Sequence, residues 1–510
     1  MNEKVYKMYS ATCIGPDPVA ITVEVSVAMG VGIYLVGLPD SAVREALLRV
    51  TSALGFWGYK IPGRRTVINM APANIKKEGS GYDVAIAVSL LAVSEQCVFP
   101  DSSSFLLLGE LSLSGELRSV PGALPIAIKA AELGFKYLVC PKDCAMQAAQ
   151  VEGVVVYGVS NLKEVVSVLC REPEAEKFIA RSTPYKVQKK TSFEFDFANV
   201  KGQLFARRGL EIACSGGHNV MLCGPPGAGK SFMARAFASI LPPMSYPESL
   251  ETSVIYSVAG MIGAGDGLMQ QRPFRSPHHT ASITAFAGGG SNAMPGEISL
   301  AHNGVLYLDE VLQYSSGLLD LLRQPLEDRS ITISRARYKV TYPASFMLVG
   351  SMNPCPCGYA GDSSGRCTCS PGMISRYLAK LSGPLLDRID LNIKVKPLDN
   401  ESMISQGLSE SSEVIAARVQ RVRNVQLERF KGLPIYLNSQ MSPADIARYC
   451  KLDKAQNEYL KRVAEKYSLS ARGYSRILKL ARTIADMAGE ENIKIEHISE
   501  AIQYRFQDFD

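Results

Sequence analysis

Short apolar runs and helical stripes alternate along the first third of the chain. TCIG, AITVEVSVA and GIYLVGLP carry the period-two or continuous apolar character of strands, and TVINMAP is another. Between them, Asp40 or Ser41 can cap a helix in which Val43, Leu47, Val50 and Leu54 fall on one face. Val84–Val93 is apolar on every side and predicts a buried helix, FLLLGELSLSGEL a hairpin-like pair, and IAIKAAELGF followed by YLVCP a helix and then a strand. This mixed order predicts an α+β domain over residues 1–170.

The pattern changes twice more. Residues 171–192 are mostly charged or polar, with two prolines and no helical stripe, and read as a linker. From residue 193 to 397 the chain runs in strand–loop–helix units. HNVMLC, GVLYLDE and SFMLVGSMN are apolar runs ending in polar residues, as buried parallel strands do when chemistry sits at their carboxyl ends. Over residues 398–510 only helical patterns remain: Val414–Phe430, Pro443–Cys450, Lys454–Tyr467, Ala471–Ala488 and Ile495–Phe506. The expected architecture is an α/β core followed by a small helical domain.

Composition narrows the class. Lys+Arg 55 against Asp+Glu 49 leaves +6, which permits a polyanionic partner without requiring one. With 46% hydrophobic and 20% charged residues the chain is neither disordered nor membrane-embedded, and Val84–Val93 is half the length a membrane span needs. The N-terminus MNEKVYKMYS has no apolar signal segment, and 12 cysteines in 510 residues are too sparse for a disulfide scaffold. A cytoplasmic, multidomain protein without a membrane partner is expected.

The chemistry begins at Gly224–Ser231. GPPGAGKS (Gly224, Pro225, Pro226, Gly227, Ala228, Gly229, Lys230, Ser231) follows a strand and opens a helix, the context a phosphate-binding loop needs. Its glycines let backbone N–H groups face a phosphate, Lys230 reaches the β and γ phosphates of ATP, and Ser231 ligates Mg²⁺. At the end of a second strand Asp309 is placed to hold the Mg²⁺ and Glu310 to orient and deprotonate the attacking water. Asn353 ends a third strand, where its amide can position the same water.

Cys355, Cys357, Cys367 and Cys369 form two C-x-C pairs around a loop rich in Gly, Ser and Asp. Four thiolates suit tetrahedral Zn²⁺, so a structural zinc is expected. An iron–sulfur cluster is open on ligands alone, and a disulfide pair is disfavoured by compartment.

The order of phosphate loop, acidic strand, asparagine strand and helical domain resembles the AAA+ ATPases, in which Asn353 would be sensor 1. Within them, RPFRSPHHTAS, PGEISLAHNGVLYLDE, NPCPCGY, SGPLLDRIDL and LSARGYSRILKLARTIADM resemble the ComM/YifB family of magnesium-chelatase-like proteins over essentially the whole chain. The resemblance implies an arginine finger at Arg388, acting on a neighbour's ATP, and a sensor 2 at Arg472, with Arg476 one turn later as the alternative. A finger in trans implies a ring of six. The stretch between Ser231 and Asp309 exceeds a minimal core, and the resemblance assigns its surplus to an insertion lining the ring pore. Arg272, Arg275, His278 and His279 would there touch a phosphate backbone.

The N-terminal segments IKKEGSGYDVAIAVSLLA and GELSLSGELRSVPGALPIAIKAAELGFKYLVCPKD resemble the proteolytic domain of Lon-type proteases. Ser80 stands near the nucleophile's place, but Pro125 occupies the position of the lysine that must accept its proton, and Lys129 lies one turn further on. A Lon-like fold without Lon chemistry is expected. By resemblance the favoured function is an ATP-driven helicase or translocase acting on single-stranded and branched DNA, promoting branch migration in recombination of the natural-transformation type. The alternatives are a protein-remodelling motor of the magnesium chelatase type, which needs neither the extra N-terminal domain nor the cysteine cluster, and an ATP-dependent protease.

Overall fold

The computed structural model describes residues 5–182, 185, 194–290, 292–335, 339–361, 365–397 and 409–505. Residues 183–184 and 186–192 of the expected linker, residues 398–408 of the expected helical domain, residues 362–364 of the cysteine loop and Phe506 lie outside them.

The N-terminal domain is a seven-stranded mixed sheet in the order 33–36, 65–71, 17–28, 5–14, 105–107, 137–141, 155–159. Val5–Ile14 and Asp17–Ala28 form a long antiparallel pair, Asp17–Ala28 is also antiparallel to Arg65–Ala71, and the other pairings are parallel. Asp40 caps the helix Ser41–Phe56, its Oδ1 accepting from the Val43 N–H at 2.8 Å. The helix Asp83–Val93 is buried along nearly its whole length, as its uniform apolarity predicts. Each of Ile86, Val88, Leu90 and Leu91 contributes ~1.5–3 kcal/mol by leaving water.

Two expectations are corrected here. FLLLGELSLSGEL is not one hairpin: Phe105–Leu107 enters the middle of the main sheet, and Glu110–Leu111 with Leu117–Arg118 forms a separate ribbon. A fully buried Phe-Leu-Leu run suits a central strand covered on both faces. The expected linker also starts late. Pro173–Phe178 is a 3₁₀ helix, the Ala180 N–H donates to the Val156 carbonyl at 2.9 Å, and the Arg171 guanidinium lies over Tyr137 at 4.1 Å. Ala175, Phe178 and Ile179 are apolar enough to dock this polar segment on the domain behind it.

The second domain is built on a parallel five-stranded sheet in the order Phe274–Arg275, Val305–Leu308, Met347–Met352, Val220–Cys223, Leu391–Lys394. All three expected strands are present and neighbour one another. Ser330–Ser334 and Lys339–Pro343 form an antiparallel hairpin outside this sheet. The C-terminal helices Ser412–Arg429, Pro443–Tyr449, Lys454–Lys466, Ala471–Ala488 and Ile495–Arg505 follow the expected segments closely. Ser442 and Asp453 supply capping boxes, and Ser470 caps the fourth helix. Ile477, Ile484 and Tyr504 share one core with Leu210 and Ile393, so the helical domain is fused to the sheet domain.

The N-terminal domain contacts the helix Tyr246–Val258 of the second domain. Gly122 donates to the Ser257 carbonyl at 2.8 Å, Leu124 to its Oγ at 3.2 Å, and Gly265 to the Asp143 carbonyl at 2.9 Å. No helix of the described residues is long and apolar enough to cross a membrane.

Candidate active site and cysteine centre

The loop Gly224–Gly229 leaves the carboxyl end of the Val220–Cys223 strand and enters the helix Lys230–Phe237. Gly227 and Gly229 sit at φ +78° and +86°, the left-handed region that glycine adopts without strain. Lys230 is buried. Its Nζ donates to the Gly224 and Pro225 carbonyls at 2.8 and 2.9 Å and to Asn353 Oδ1 at 3.1 Å, and burial lowers its pKa. Lysine and asparagine, from loop and neighbouring strand, therefore meet at one point.

Ser231 Oγ donates to Asp309 Oδ2 at 3.0 Å, joining the two expected Mg²⁺ ligands. Burial alone would raise the Asp309 pKa, but hydrogen bonds from Ser351, Tyr307 and Ser231 bring it below the ordinary carboxylate value. An ionised carboxylate beside a hydroxyl fits a hard divalent cation. Glu310 adopts φ +49°, held there as its N–H donates to Asp309 Oδ1 at 3.1 Å and Ser351 Oγ at 3.2 Å. Ser351 is a site residue that motif reading misses. Its one signal is its place two residues before Asn353 on the central strand.

Arg388 and Arg472 are elsewhere. Asp390 precedes the strand paired Val220 to Leu391, so Arg388 lies at the amino end of the sheet, about 13 Å of strand from the phosphate loop. Arg388 is almost fully buried and bonds to Glu327 and to the Pro384 carbonyl. Arg472 donates to the other Glu327 oxygen at 3.0 Å. Glu327 thus gathers both arginines, and nothing local in the sequence announces it. Arg476 instead bonds to Asp390 and donates to the Arg388 carbonyl at 3.1 Å. Burial would raise the Asp390 pKa, but Arg476, His218 and the Asn219 N–H hold it far below the usual range.

The expected pore set divides. Arg272 is inside the protein, donating to both Glu248 oxygens at 2.9 Å and to the Pro242 and Asn303 carbonyls, with Arg423 on the same carboxylate. Arg275 makes a two-fold pair with Glu297 at 2.6 Å. Both arginines are thus spent on internal carboxylates, which corrects their assignment to a DNA backbone. His278 is exposed, its ring 4.1 Å from that of the half-buried His279.

The four cysteine sulfurs lie within 4.8 Å of one another, with Sγ···Sγ of 3.3 Å for Cys355–Cys357, 3.8 Å for Cys355–Cys367 and 3.7 Å for Cys357–Cys367. Four sulfurs at ~2.3 Å from one tetrahedral Zn²⁺ would stand about 3.8 Å apart, so the set fits a single ion. Thiolates on separate irons of a cluster stand further apart. Backbone N–H groups of Tyr359 and Thr368 pull the Cys357 pKa down to about 6, whereas desolvation and the neighbouring thiols raise those of Cys367 and Cys369.

In the N-terminal domain Ser80 bonds to Glu110, whereas Lys129 pairs with Glu132 at 3.0 Å on the outer face of its helix. The structure does not join serine to lysine.

Comparison with known proteins places these sites in context. The family described as magnesium chelatase, subunit ChlI, matches residues 196–403, its C-terminal part matches 409–505, and subunit ChlI of Mg-chelatase matches 23–144. The chain is 41% identical to competence protein ComM of Haemophilus influenzae over 504 residues, 98% of this chain and 97% of that one. It is 40% identical to the uncharacterized protein YifB of Salmonella typhimurium over 501 residues, covering 98% and 96%. It is 24% identical to the magnesium-chelatase 38 kDa subunit of Rhodobacter capsulatus over 340 residues, covering 63% and 89%.

Proposed function

Because the chain belongs to the ComM/YifB family of magnesium-chelatase-like AAA+ ATPases, we propose that it is a ring motor that hydrolyses ATP to move along DNA. Membership carries with it ATP, Mg²⁺ and self-assembly. The finer reading is a helicase or translocase that drives branch migration of recombination intermediates, with a ring of six.

Mg²⁺ supplies charge neutralisation at the phosphates, and the chain's own groups do the rest. Lys230 neutralises β and γ phosphate oxygens. Ser231 and Asp309, already joined by a hydrogen bond, would hold the cation, Glu310 would take the proton of the attacking water, and Asn353, bonded to Lys230, would orient that water. Arg388 and Arg472 stand too far from this loop to serve their own subunit, so both act on a neighbour's nucleotide. Arg472 is the sensor we assign, because Arg476 is committed to Asp390. Cys355, Cys357, Cys367 and Cys369 would hold one structural Zn²⁺, their sulfurs lying within 4.8 Å of one another.

The likeness to a competence protein over 98% of the chain carries the DNA reading. The chelatase subunit aligns with only 63% of the chain, which supports the remodelling alternative less. The test is the ATPase rate of the purified protein with and without single-stranded, double-stranded and four-way-junction DNA. Stimulation by DNA supports the proposal, and an active ATPase indifferent to all three contradicts it.

A further inference from the structure

The cysteine loop does not stand apart from the nucleotide site. Asn353, whose amide receives the Lys230 Nζ, is followed two residues later by Cys355, which is fully buried. From there the chain folds back tightly. Gly358 N–H donates to the Cys355 carbonyl at 3.0 Å, and Ala360 N–H to the Cys355 sulfur at 3.2 Å. This turn lays the Gly358 backbone against the ring of Pro226 in the phosphate loop. A Cβ built on Gly358 would stand 2.6 Å from Pro226 Cδ and 2.8 Å from its Cγ, and 3.9 Å from the Asn353 amide carbon. Gly358 is at φ +90°, so the turn itself selects glycine. On the other side, the Gly224 N–H donates to the Met352 carbonyl at 3.3 Å. The phosphate loop is thus backed by the strand before Asn353 and by the cysteine turn after it.

We propose that metal binding by the four cysteines and nucleotide binding by the phosphate loop are energetically coupled through the packing of Gly358 on Pro226, so that each strengthens the other. The proposal rests on the reading of Gly224–Ser231 as the nucleotide site. A single ion drawing the sulfurs of Cys355 and Cys357 toward Cys367 and Cys369 fixes the 355–358 turn that abuts Pro226. Without it the turn keeps its bonds to the Cys355 carbonyl and sulfur but loses the tie to Cys367 and Cys369. Gly358 is a positioning residue on this account, since it touches no phosphate. Coupling between binding sites is reciprocal, so one factor must describe both directions.

The experiment uses the full chain. Zinc per chain is measured first. A fluorescent, non-hydrolysed ATP analogue is then titrated into the zinc-loaded and the chelator-stripped protein, and zinc affinity is measured by competition with a metallochromic chelator, with and without the analogue. Stripping should weaken analogue binding by roughly 5- to 150-fold, and saturating analogue should tighten zinc by the same factor. Equal analogue affinity in both forms, or a chain that binds no metal, overturns the proposal. Absence of analogue binding by either form overturns it together with the nucleotide-site reading, which separates the two failures.

Should stripping unfold the protein, Gly358→Ala supplies the second test. It should retain one zinc per chain yet bind the analogue more weakly, and adding Pro226→Ala should recover part of the loss, because the clashing ring atoms are gone. Equal loss with and without Pro226→Ala would mean backbone strain at Gly358 rather than its contact, and overturns the proposal.

Discussion

Glu327→Gln is the substitution most revealing of how the two arginines work. One Glu327 oxygen bonds to Arg388 and the other accepts from Arg472 at 3.0 Å. The side chains of Glu327 and Arg472 are 47% and 59% exposed, so that pair is worth only ~0.5 kcal/mol. Arg388 is 10% exposed and its Nε is buried without an acceptor, so its bond to a charged partner is worth ~1.5–3 kcal/mol. Glutamine keeps the shape and one acceptor but loses the charge, which removes about half the total, ~1.4 kcal/mol, or tenfold. Because both arginines face away from their own phosphate loop, the loss should appear in kcat and leave nucleotide affinity unchanged. Steady-state ATPase kinetics, with binding of a non-hydrolysed analogue measured in parallel, reads the two separately. A tenfold loss of analogue affinity at constant kcat, or no change in either, would refute the reasoning.

Three further outcomes follow from the same geometry. Lys230→Ala should weaken nucleotide binding, whereas Glu310→Gln should bind the analogue normally and lose turnover, because only the second residue handles water; normal hydrolysis by Glu310→Gln in a phosphate-release assay would remove it from the site. Arg388→Ala should lose turnover while retaining nucleotide, and mixing it with Glu310→Gln chains should restore activity, since one subunit supplies the finger and its neighbour the base; no rescue at any ratio argues against action in trans. Asp390→Asn should cost about 3 kcal/mol in urea unfolding at pH 7 by stranding Arg476. Its folded pKa is depressed from 3.8, so the wild-type advantage is full above about pH 5 and erodes as pH falls below 3.8; a difference that grows on acidification would contradict the assignment.

What could be read from the sequence is what is local in the chain. Gly224–Ser231 spells its own geometry within eight positions, and the apolar runs before Gly224, Asp309 and Asn353 sit side by side in the sheet as their patterns imply. The cysteines declare themselves by spacing. Partners distant in sequence do not. Arg272 and Arg275 read as free cations because Glu248 and Glu297, which neutralise them, lie in other elements. Glu327 stands far in sequence from both Arg388 and Arg472, and Gly358 from Pro226, so neither contact leaves a local signature. The pair Ser330–Ser334 and Lys339–Pro343 goes unread, although Ile331, Ile333, Val340 and Tyr342 alternate with polar residues and are all buried.

Junction migration reads the proposed movement of DNA by ATP hydrolysis. A labelled four-way junction is incubated with the wild-type protein and Mg·ATP at low salt, and its conversion to migrated products is followed on a native gel. Phosphate contacts release counterions, so binding and migration should both fall steeply as salt rises, and Lys230→Ala should abolish migration at every salt concentration. Migration that requires ATP and is lost in Lys230→Ala is expected of a DNA motor. An active ATPase that neither binds nor moves the junction at low salt would contradict the DNA motor and favour protein remodelling.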